Sequence, residues 1–305
     1  MSDTIEARPD MIGGVPTPPL AVLPKPERLF TQRAERFVRL AEESNLSPYL
    51  RFLAALCRLQ ARLSAELPAP EAPAADRIAL ARASRMPPLD RRALVDDAGL
   101  AATLDALLDG AREIEMPPEA RLALDALRAA TAEDRRWLLS NIMDDLVPAD
   151  SAAPHLFVAA AVQVHMARLA ATLRADQLVP IRTGVCPACG GKPATSIVTG
   201  VMGAEGTRYA ACACCQTLWN EVRVKCLSCG STKGIAFQAV EDGSGDAQVK
   251  AETCDECESW VKQMAQNKNP ALEPIADDVA SLGLDALMQS GRWRRAGFNP
   301  FLIGY

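Results

Sequence analysis

Four cysteine motifs decide the fold: CPACG (186–190), CACC (212–215), CLSCG (226–230) and CDEC (254–257). Together they hold nine of the ten cysteines in 305 residues. Two residues between paired cysteines let a tight turn, here called a knuckle, aim both sulfurs at one point. The four knuckles, numbered one to four along the chain, therefore predict two tetrahedral four-thiolate metal sites. Such sites accept zinc or a single iron. A site with three cysteines and one histidine is excluded here, because no histidine follows His165.

The cysteine block contains an internal repeat. Cys226 follows Cys186 by 40 positions, and each CxxCG knuckle is followed 26 or 28 positions later by a second knuckle. Residues of high β-propensity predict strands over 194–201, 208–211, 234–240 and 247–252. The repeat favours pairing knuckle one with two and three with four, although a crossed pairing (one with three, two with four) stays open. Two small metal ribbons in tandem, which need their metals to fold, account for the pattern.

Other interpretations of the cysteines fit less well. Structural disulfides are disfavoured by the odd number of cysteines in the block and by the expected cytoplasmic location. A thioredoxin-type redox pair needs one CxxC that opens a helix after a strand, rather than four pairs in tandem. Cys214 is an extra cysteine inside knuckle two. Its simplest interpretation is a small residue beside the site, and the alternative is a spare or substitute ligand.

The first half of the chain has a helical pattern. Alanine and leucine recur at helical spacing, and Pro- or Gly-containing breaks separate the segments. Pro26 and the Ser47-Pro48 pair are typical of helix starts. The pattern predicts an all-α domain. Its predicted helices lie at about 26–41, 47–67, 90–98, 100–114, 117–130, 133–146 and 155–176.

The two ends of the chain differ from these regions. The Pro- and Gly-rich N-terminus predicts an extended arm, and Pro274 predicts the start of a final helix. In that helix we expect Ile275, Val279, Leu282 and Leu287 (or Ala286) to face inward. The predicted fold class is α+β. Its predicted parts are an arm (1–25), an all-helical domain (26–180), two metal-ribbon modules (181–222 and 223–268), and a C-terminal helix with a tail (269–305).

Composition and charge exclude several classes of protein. Hydrophobic residues make up 49% and charged residues 23%, which excludes a wholly disordered or fibrous chain. The net charge is −5, and residues 181–305 carry 12 Lys and Arg against 13 Asp and Glu, which disfavours nucleic-acid binding. No apolar run is long enough for a membrane span, and no signal peptide is visible. We therefore expect a cytoplasmic protein without membrane insertion.

No constellation of side chains predicts catalysis. The sequence contains no evident nucleophile–base pair or phosphate-binding loop, so we predict that the protein is not an enzyme. The pairs Asp144-Asp145 and Asp277-Asp278 are expected at solvated helix ends, and His165 on a helix face. Arg33, Glu35 and Arg36 are expected to form an exposed, ion-paired helix face.

The chain resembles the formate dehydrogenase accessory (FdhE) family. The resemblance rests on the cysteine block with its linking segments RYAAC and VRVKC, on ADDVASLGLDALM and NPFL, and on LFTQRAERFVRLAE and SPYLRFLAAL near the start. It implies a helical domain followed by two rubredoxin-like modules, with iron as the metal and zinc as the alternative. The ligands that it implies are Cys186, Cys189, Cys212 and Cys215 in one site, and Cys226, Cys229, Cys254 and Cys257 in the other.

Three functions follow as hypotheses. The resemblance implies a cytoplasmic assembly factor, or chaperone, that binds the catalytic subunit of a respiratory formate dehydrogenase before export through the twin-arginine pathway. The twin-arginine signal peptide of that subunit is a candidate contact. The alternatives are a rubredoxin-type electron-transfer protein, since iron bound by four thiolates can carry an electron, and a zinc ribbon that binds nucleic acid.

Overall fold

The computed structural model describes residues 18–42, 44–201, 204–240 and 247–302. Within these residues, seven α-helices precede most of the sheet, and two short helices lie between its last two strands. The first seven are α1 (Pro26–Leu40), α2 (Ser47–Glu66), α3 (Ala75–Ala83), α4 (Ala98–Ala111), α5 (Pro118–Ala129), α6 (Ala132–Met143) and α7 (Ala152–Ala171). The last two are α8 (Ala276–Ala280) and α9 (Leu282–Gln289).

Helix α7 forms the centre of the helical part. It is buried on every side from Phe157 to Ala170, and α1, α2, α4, α5 and α6 pack around it. A helix that is largely apolar and buried around its whole circumference belongs in a protein core. The helix predicted over 155–176 is therefore confirmed, with its bounds shifted towards the N-terminus. None of the helices in the described ranges is both long and apolar enough to cross a membrane.

Two helix predictions differ from the structure. The segment predicted as a helix over 90–98 contains only a short 3₁₀ turn, Ala93–Asp96. The chain leaves helical geometry at Asp97, whose carboxylate accepts a hydrogen bond from the Leu100 amide and caps α4. Helix α3 was not predicted. Ala81 is its one buried residue, so it lacks the apolar stripe that marks a packed helix.

The strands of both cysteine regions join in one mixed sheet. Its order is β1-β4-β3-β2-β7-β6-β5, and β8 pairs with β7. All neighbouring strands are antiparallel except β2–β7 and β7–β8. The parallel pair β2–β7 is what unites the two predicted ribbons. The strands are β1 (Ala21–Val22), β2 (Pro193–Val198), β3 (Arg208–Cys212), β4 (Leu218–Glu221), β5 (Ile235–Gln238), β6 (Val249–Cys254), β7 (Ser259–Ala265) and β8 (Arg294–Arg295).

The four predicted strands correspond to β2, β3, β5 and β6. The strands β4 and β7, which leave knuckles two and four, were not predicted. Part of the predicted N-terminal arm also joins the sheet, since Ala21 pairs with Trp219 of β4. The rest of that prediction, residues 1–17, lies outside the described residues.

The C-terminal helix is broken, which corrects its predicted inward face. α8 ends before Ser281 and α9 begins after it, so the helical phase changes between them. Leu284 and Met288 are therefore buried, whereas Leu287 is 45% exposed. Ile275 and Val279 face inward as predicted, but Leu282 is only partly buried and Ala286 is exposed.

The tail after α9 acts as a clasp between the parts of the molecule. The Phe298 amide donates to the Pro193 carbonyl of β2, and the Tyr49 hydroxyl of α2 donates to the Phe301 carbonyl. Asn299 donates to the carboxylate of Asp278 in α8. The tail thus contacts the helical part, the sheet and α8 together; residues 303–305 lie outside the described residues.

The expectation that Asp277 and Asp278 are solvated is wrong. Both are buried, and Asp277 forms a two-bond pair with Arg36 of α1. Asp278 lies 3.0 Å from the buried ammonium of Lys262 and 2.6 Å from Arg295. Burial raises the pKa of Asp278, but the two cations lower it more, so its net pKa lies below the usual value.

The expected exposed face of α1 is also corrected. Glu35 is exposed, but Arg33 is only 1% exposed and Arg36 is partly buried. Their carboxylate partners, Glu273 and Asp277, lie more than 200 residues away in the C-terminal segment. Of the other acidic pair, Asp144 is exposed as expected, whereas Asp145 is buried. Helix α1 therefore meets the C-terminal segment through buried ion pairs that no local sequence pattern reveals.

Candidate metal centres

The structure assembles the eight candidate sulfurs into two groups. Knuckles one and two form the first cysteine group, and knuckles three and four form the second cysteine group. Within each group, every sulfur lies within 4.8 Å of the other three. This is the pairing that the repeat favours, and the crossed pairing does not occur. The members are Cys186, Cys189, Cys212 and Cys215 in the first group, and Cys226, Cys229, Cys254 and Cys257 in the second.

The same backbone turns build both groups. The residue after the leading knuckle of each group is a glycine with positive φ, 76° at Gly190 and 80° at Gly230, as its place in the sequence suggests. The residue after the closing knuckle is also left-handed although it carries a side chain, with φ of 63° at Gln216 and 50° at Glu258. These turns fold the chain back so that both sulfurs of a knuckle face one point. The repeat therefore extends to backbone conformation.

A hydroxyl group supports the last sulfur of each group. The Thr217 Oγ1 lies 3.2 Å from the Cys215 Sγ, and the Ser259 Oγ lies 3.0 Å from the Cys257 Sγ. Groups that hydrogen-bond to a metal ligand fix its orientation and tune its basicity. These hydroxyls were not predicted from the sequence. The signal that could have found them is the Thr or Ser two positions after the closing knuckle in both repeat units.

The spacing of the sulfurs fits a bound metal ion. A tetrahedron with metal–sulfur bonds of ~2.3 Å has edges of about 3.8 Å. Two sulfur–sulfur separations in each group are close to that edge, so little movement is needed to close each group on a metal. They are 3.6 Å for Cys186–Cys215, 3.5 Å for Cys189–Cys212, 3.6 Å for Cys226–Cys257 and 3.7 Å for Cys229–Cys254.

The surroundings of the thiols shift their pKa values in both directions. Burial raises the pKa of Cys186 well above its usual value, and burial is the main cause that raises the pKa of Cys254 to about 12. Hydrogen bonds from Cys186 lower the pKa of Cys189. Burial raises the pKa of Cys257, but Ser259 and the neighbouring thiols lower it more, to about 7. A divalent cation would let all four thiols of a group ionise, so the donor set fits zinc or iron.

The helical part covers the first cysteine group. Its four cysteines are 0–2% exposed. The Leu89 amide donates to the Ala188 carbonyl inside knuckle one at 3.1 Å, and the Gln163 side chain of α7 donates to the Ala213 carbonyl inside knuckle two at 3.1 Å. Each knuckle of this group is therefore held by a residue of the helical part.

Two buried ion pairs reinforce that contact. Arg33 of α1 donates to the Gln216 side chain at 2.7 Å and lies 2.9 Å from the Glu273 carboxylate. Arg91 donates through two nitrogens to Asp145, both at 2.8 Å. Asp145 also accepts the Lys192 amide, just beyond knuckle one, at 3.1 Å. Burial raises the pKa of Asp145 despite the neighbouring Arg91.

The second cysteine group lies at the surface. Cys226 and Cys254 are buried, but Cys257 is half-buried and Cys229 is exposed. The residue after its closing knuckle, Glu258, is exposed, whereas the equivalent Gln216 is buried. The ligand geometry of the two groups is thus alike, and their access to solvent differs.

The remaining candidate residues lie outside both groups. Cys214 and Cys57 are buried and belong to neither group. His165 is also buried, and its Nε2 lies 3.3 Å from the Asp97 carboxylate. Burial lowers the pKa values of His155 and His165, which favours the neutral form of both side chains.

Comparisons with known proteins identify the family. Family models match three consecutive parts of the chain: FdhE, N-terminal (18–183), FdhE, central domain (185–223) and FdhE, C-terminal domain (224–302). The protein named Protein FdhE homolog in Rhizobium meliloti (strain 1021) is 54% identical over 301 residues, which covers 99% of this chain and 98% of that protein. Protein FdhE of Escherichia coli (strain K12) is 33% identical over 288 residues, which covers 94% of this chain and 91% of that protein.

A solved structure agrees with both the sequence match and the fold. The crystal structure of the FdhE protein from Pseudomonas aeruginosa superposes with a TM-score of 0.84 at 32% identity. The match covers 94% of this chain and 99% of that one. With a helical N-terminal part, two four-cysteine groups and family matches from residue 18 to residue 302, the chain belongs to the FdhE family.

Proposed function

We propose that this protein is a cytoplasmic assembly factor for a respiratory formate dehydrogenase and acts without catalytic turnover. It binds the catalytic subunit of that enzyme before export through the twin-arginine pathway, and the signal peptide of the subunit is a further candidate contact. The observation that carries the proposal is the family match along the chain, which includes both complete cysteine groups.

The proposal assigns each cysteine group one metal ion, with iron as the favoured metal and zinc as the alternative. Cys186, Cys189, Cys212 and Cys215 hold the first ion, and Cys226, Cys229, Cys254 and Cys257 hold the second. When bound, the ion supplies the positive charge that the crowded thiolates need, and iron would also supply a one-electron couple. The protein supplies the turns, the Thr217 and Ser259 hydroxyls and the cover over the first group.

The role of the metals in this proposal is to hold a binding surface in shape. The second cysteine group stands on the sheet at the surface, and the clasp formed by the tail connects that sheet to the helical part. A metal-stabilised surface of this kind presents fixed backbone and side-chain groups to a partner, so binding costs little ordering of the free protein.

Electron transfer of the rubredoxin type is the second candidate function. The exposure of Cys229 favours it, because an electron-transfer centre needs a short path to solvent or to a partner. A reversible reduction potential in protein purified with iron, together with electron exchange with formate dehydrogenase, would support this role. Protein that functions with zinc in both groups would eliminate it.

The test combines metal analysis with a maturation assay. The protein is purified without oxygen and without a chelating tag, its metals are counted, and its visible spectrum is recorded. In parallel, the gene is deleted in the native host and formate-dependent dye reduction is measured. We expect two metal ions per chain, strong loss of formate dehydrogenase activity on deletion, and co-purification of the chain with the catalytic subunit.

Matched variants separate the metal sites from general effects on folding. Complementation with Cys57→Ala should restore activity, because Cys57 belongs to neither cysteine group. Complementation with Cys189→Ser or Cys229→Ser should restore less. Unchanged formate dehydrogenase activity in the deletion strain would contradict the assembly role, and protein without bound metal would contradict the ligand assignment.

A further inference from the structure

The two cysteine groups differ in how an external molecule could reach their sulfurs. All four cysteines of the first group are at most 2% exposed, beneath contacts from Leu89 and Gln163. In the second group, Cys229 is exposed and Cys257 is half-buried. Replacement of one thiolate ligand by another requires the incoming sulfur to approach the metal, so its rate depends on access.

The neighbours of the second group leave this approach open. Knuckle three carries Cys229 between the exposed Ser228 and the half-buried Gly230. Across the group, Arg292 and Trp293 of the tail bind the Asp255 carboxylate at 2.7 Å and 3.1 Å, and the Asp255 amide donates to the Gly234 carbonyl at 2.9 Å. Asp255 and Arg292 are both exposed, so this contact borders the group without covering it.

We propose that the second cysteine group is a ligand-exchange site, at which a thiol-bearing partner replaces Cys229 on the metal. The incoming thiol forms a metal–sulfur bond, the bond from the metal to the Cys229 sulfur breaks, and the proton of the incoming thiol passes to Cys229. No electron is transferred. The buried Cys226 and Cys254 keep the metal on the protein, and Cys257 is the second ligand that can be replaced.

Charge defines the class of thiol that this site accepts. Four thiolates around a divalent ion make a dianionic centre, and the exposed carboxylates of Asp255, Glu256 and Glu258 border knuckle four. Arg292 pairs with Asp255 and Lys225 with Glu221, and the exposed Arg294 and Lys233 also lie beside the knuckles, but the dianionic centre keeps the local charge negative. The site therefore favours a cationic thiol, such as a cysteine beside lysine or arginine in a partner, and disfavours an anionic thiol. This preference should weaken with salt, because exposed charges are screened.

The inference rests on the proposed metal ligation but not on the proposed partner, so its test uses the purified full-length chain alone. Protein loaded with zinc is mixed with cysteamine and a chromogenic zinc chelator, without oxygen. We expect one zinc ion per chain to be released quickly. The second should be released at about a tenth of that rate or more slowly, since its release requires the helical part to open. Cysteamine should act several-fold faster than 2-mercaptoethanesulfonate, and the difference should shrink in high salt.

Mapping of the reactive thiols keeps the test decisive in unmodified protein. The reaction is stopped at intervals with N-ethylmaleimide, and the labelled cysteines are identified by mass spectrometry. Cys229 and then Cys257 should be labelled during the fast phase, while the first group and the buried Cys57 and Cys214 stay unlabelled. The variant Cys214→Ala should retain two zinc ions per chain and the fast phase, because Cys214 belongs to neither group.

Three results would overturn the inference. They are release of both zinc ions at one rate, labelling of the first group as early as Cys229, and faster release by the anionic thiol at low salt. Protein that binds no zinc would instead refute the metal ligation itself. Since formate dehydrogenase is absent from the assay, a failure of ligand exchange remains distinct from a failure of the assembly role.

Discussion

The two cysteine groups use the same turns in different surroundings. Gly190 and Gly230 hold equivalent left-handed positions, as do Gln216 and Glu258. The first group is covered by the helical part, and the second stands at the surface. The comparison teaches that the knuckle alone fixes the ligand geometry, whereas the residues next to it decide whether the centre is part of the core.

Gln216 shows how a single position makes this difference. Its side chain accepts a hydrogen bond from the buried Arg33 and donates to the Ala213 carbonyl, which joins knuckle two to α1. At the equivalent position Glu258 is exposed. The first cysteine group therefore connects the sheet to the helical part, and the second leaves its sulfurs available to other molecules.

The largest expected difference is in melting temperature, when one buried cysteine is removed from each group at equivalent positions. Cys212→Ser and Cys254→Ser should each remove one metal ion, and binding of a structural metal contributes on the order of 10 kcal/mol to folding in small metal domains. Because the helical part packs on the first group, Cys212→Ser should lower the main melting temperature by about 10 °C or more. Cys254→Ser should shift that transition by only a few degrees, since its loss is local. Differential scanning calorimetry with metal analysis checks both.

Two other cysteines serve as controls for that experiment. Cys57→Ala and Cys214→Ser should retain two metal ions per chain, because neither residue belongs to a cysteine group. Loss of one metal from Cys214→Ser would make Cys214 a ligand. Equal shifts in melting temperature for Cys212→Ser and Cys254→Ser would show that burial does not separate the two centres.

A smaller difference is expected from the ion pairs beside the two groups. Arg91→Met leaves the buried Asp145 without its cation, and such a loss costs about 3–5 kcal/mol. Arg292→Met removes an exposed pair with Asp255, which is worth about 0–1 kcal/mol. Urea unfolding followed by far-UV circular dichroism measures both free energies. Similar values for the two variants would refute the view that the first group lies in the core and the second at the surface.

The grouping of the eight sulfurs was predictable because the turns that build it are local. Two residues between cysteines, a glycine after each leading knuckle and a repeat of 40 positions are all visible in the sequence. The main helices were predictable for the same reason, since Pro26 and the Ser47-Pro48 pair mark their starts and apolar spacing marks their buried faces.

The surroundings of the groups were not predictable because they depend on distant contacts. Arg33 was expected at the surface, yet its partner Glu273 lies 240 positions away. Asp278 was expected in solvent, but Lys262 and Arg295 reach it from β7 and β8. A charged residue in a sequence reveals its burial only when its partner is known, and these partners share no local pattern with it.

The smallest expected effect is a change in the rate of backbone amide exchange. It is also the most discriminating, because we expect opposite signs in the two cysteine groups. A residue with a side chain costs about 1 kcal/mol or more in left-handed geometry, which glycine adopts freely. Glu258→Gly should therefore slow amide exchange in the segment around β7, since the exposed Glu258 side chain contributes no contact that holds the helical part. Gln216→Gly also relieves left-handed backbone strain, but it loses the hydrogen bonds to Arg33 and Ala213. A hydrogen bond to a charged group is worth about 1.5–3 kcal/mol. Gln216→Gly should speed amide exchange around knuckle two. Changes of the same sign in hydrogen–deuterium exchange would mean that Gln216 does not couple the first group to the helical part, because backbone relief alone acts equally on both knuckles.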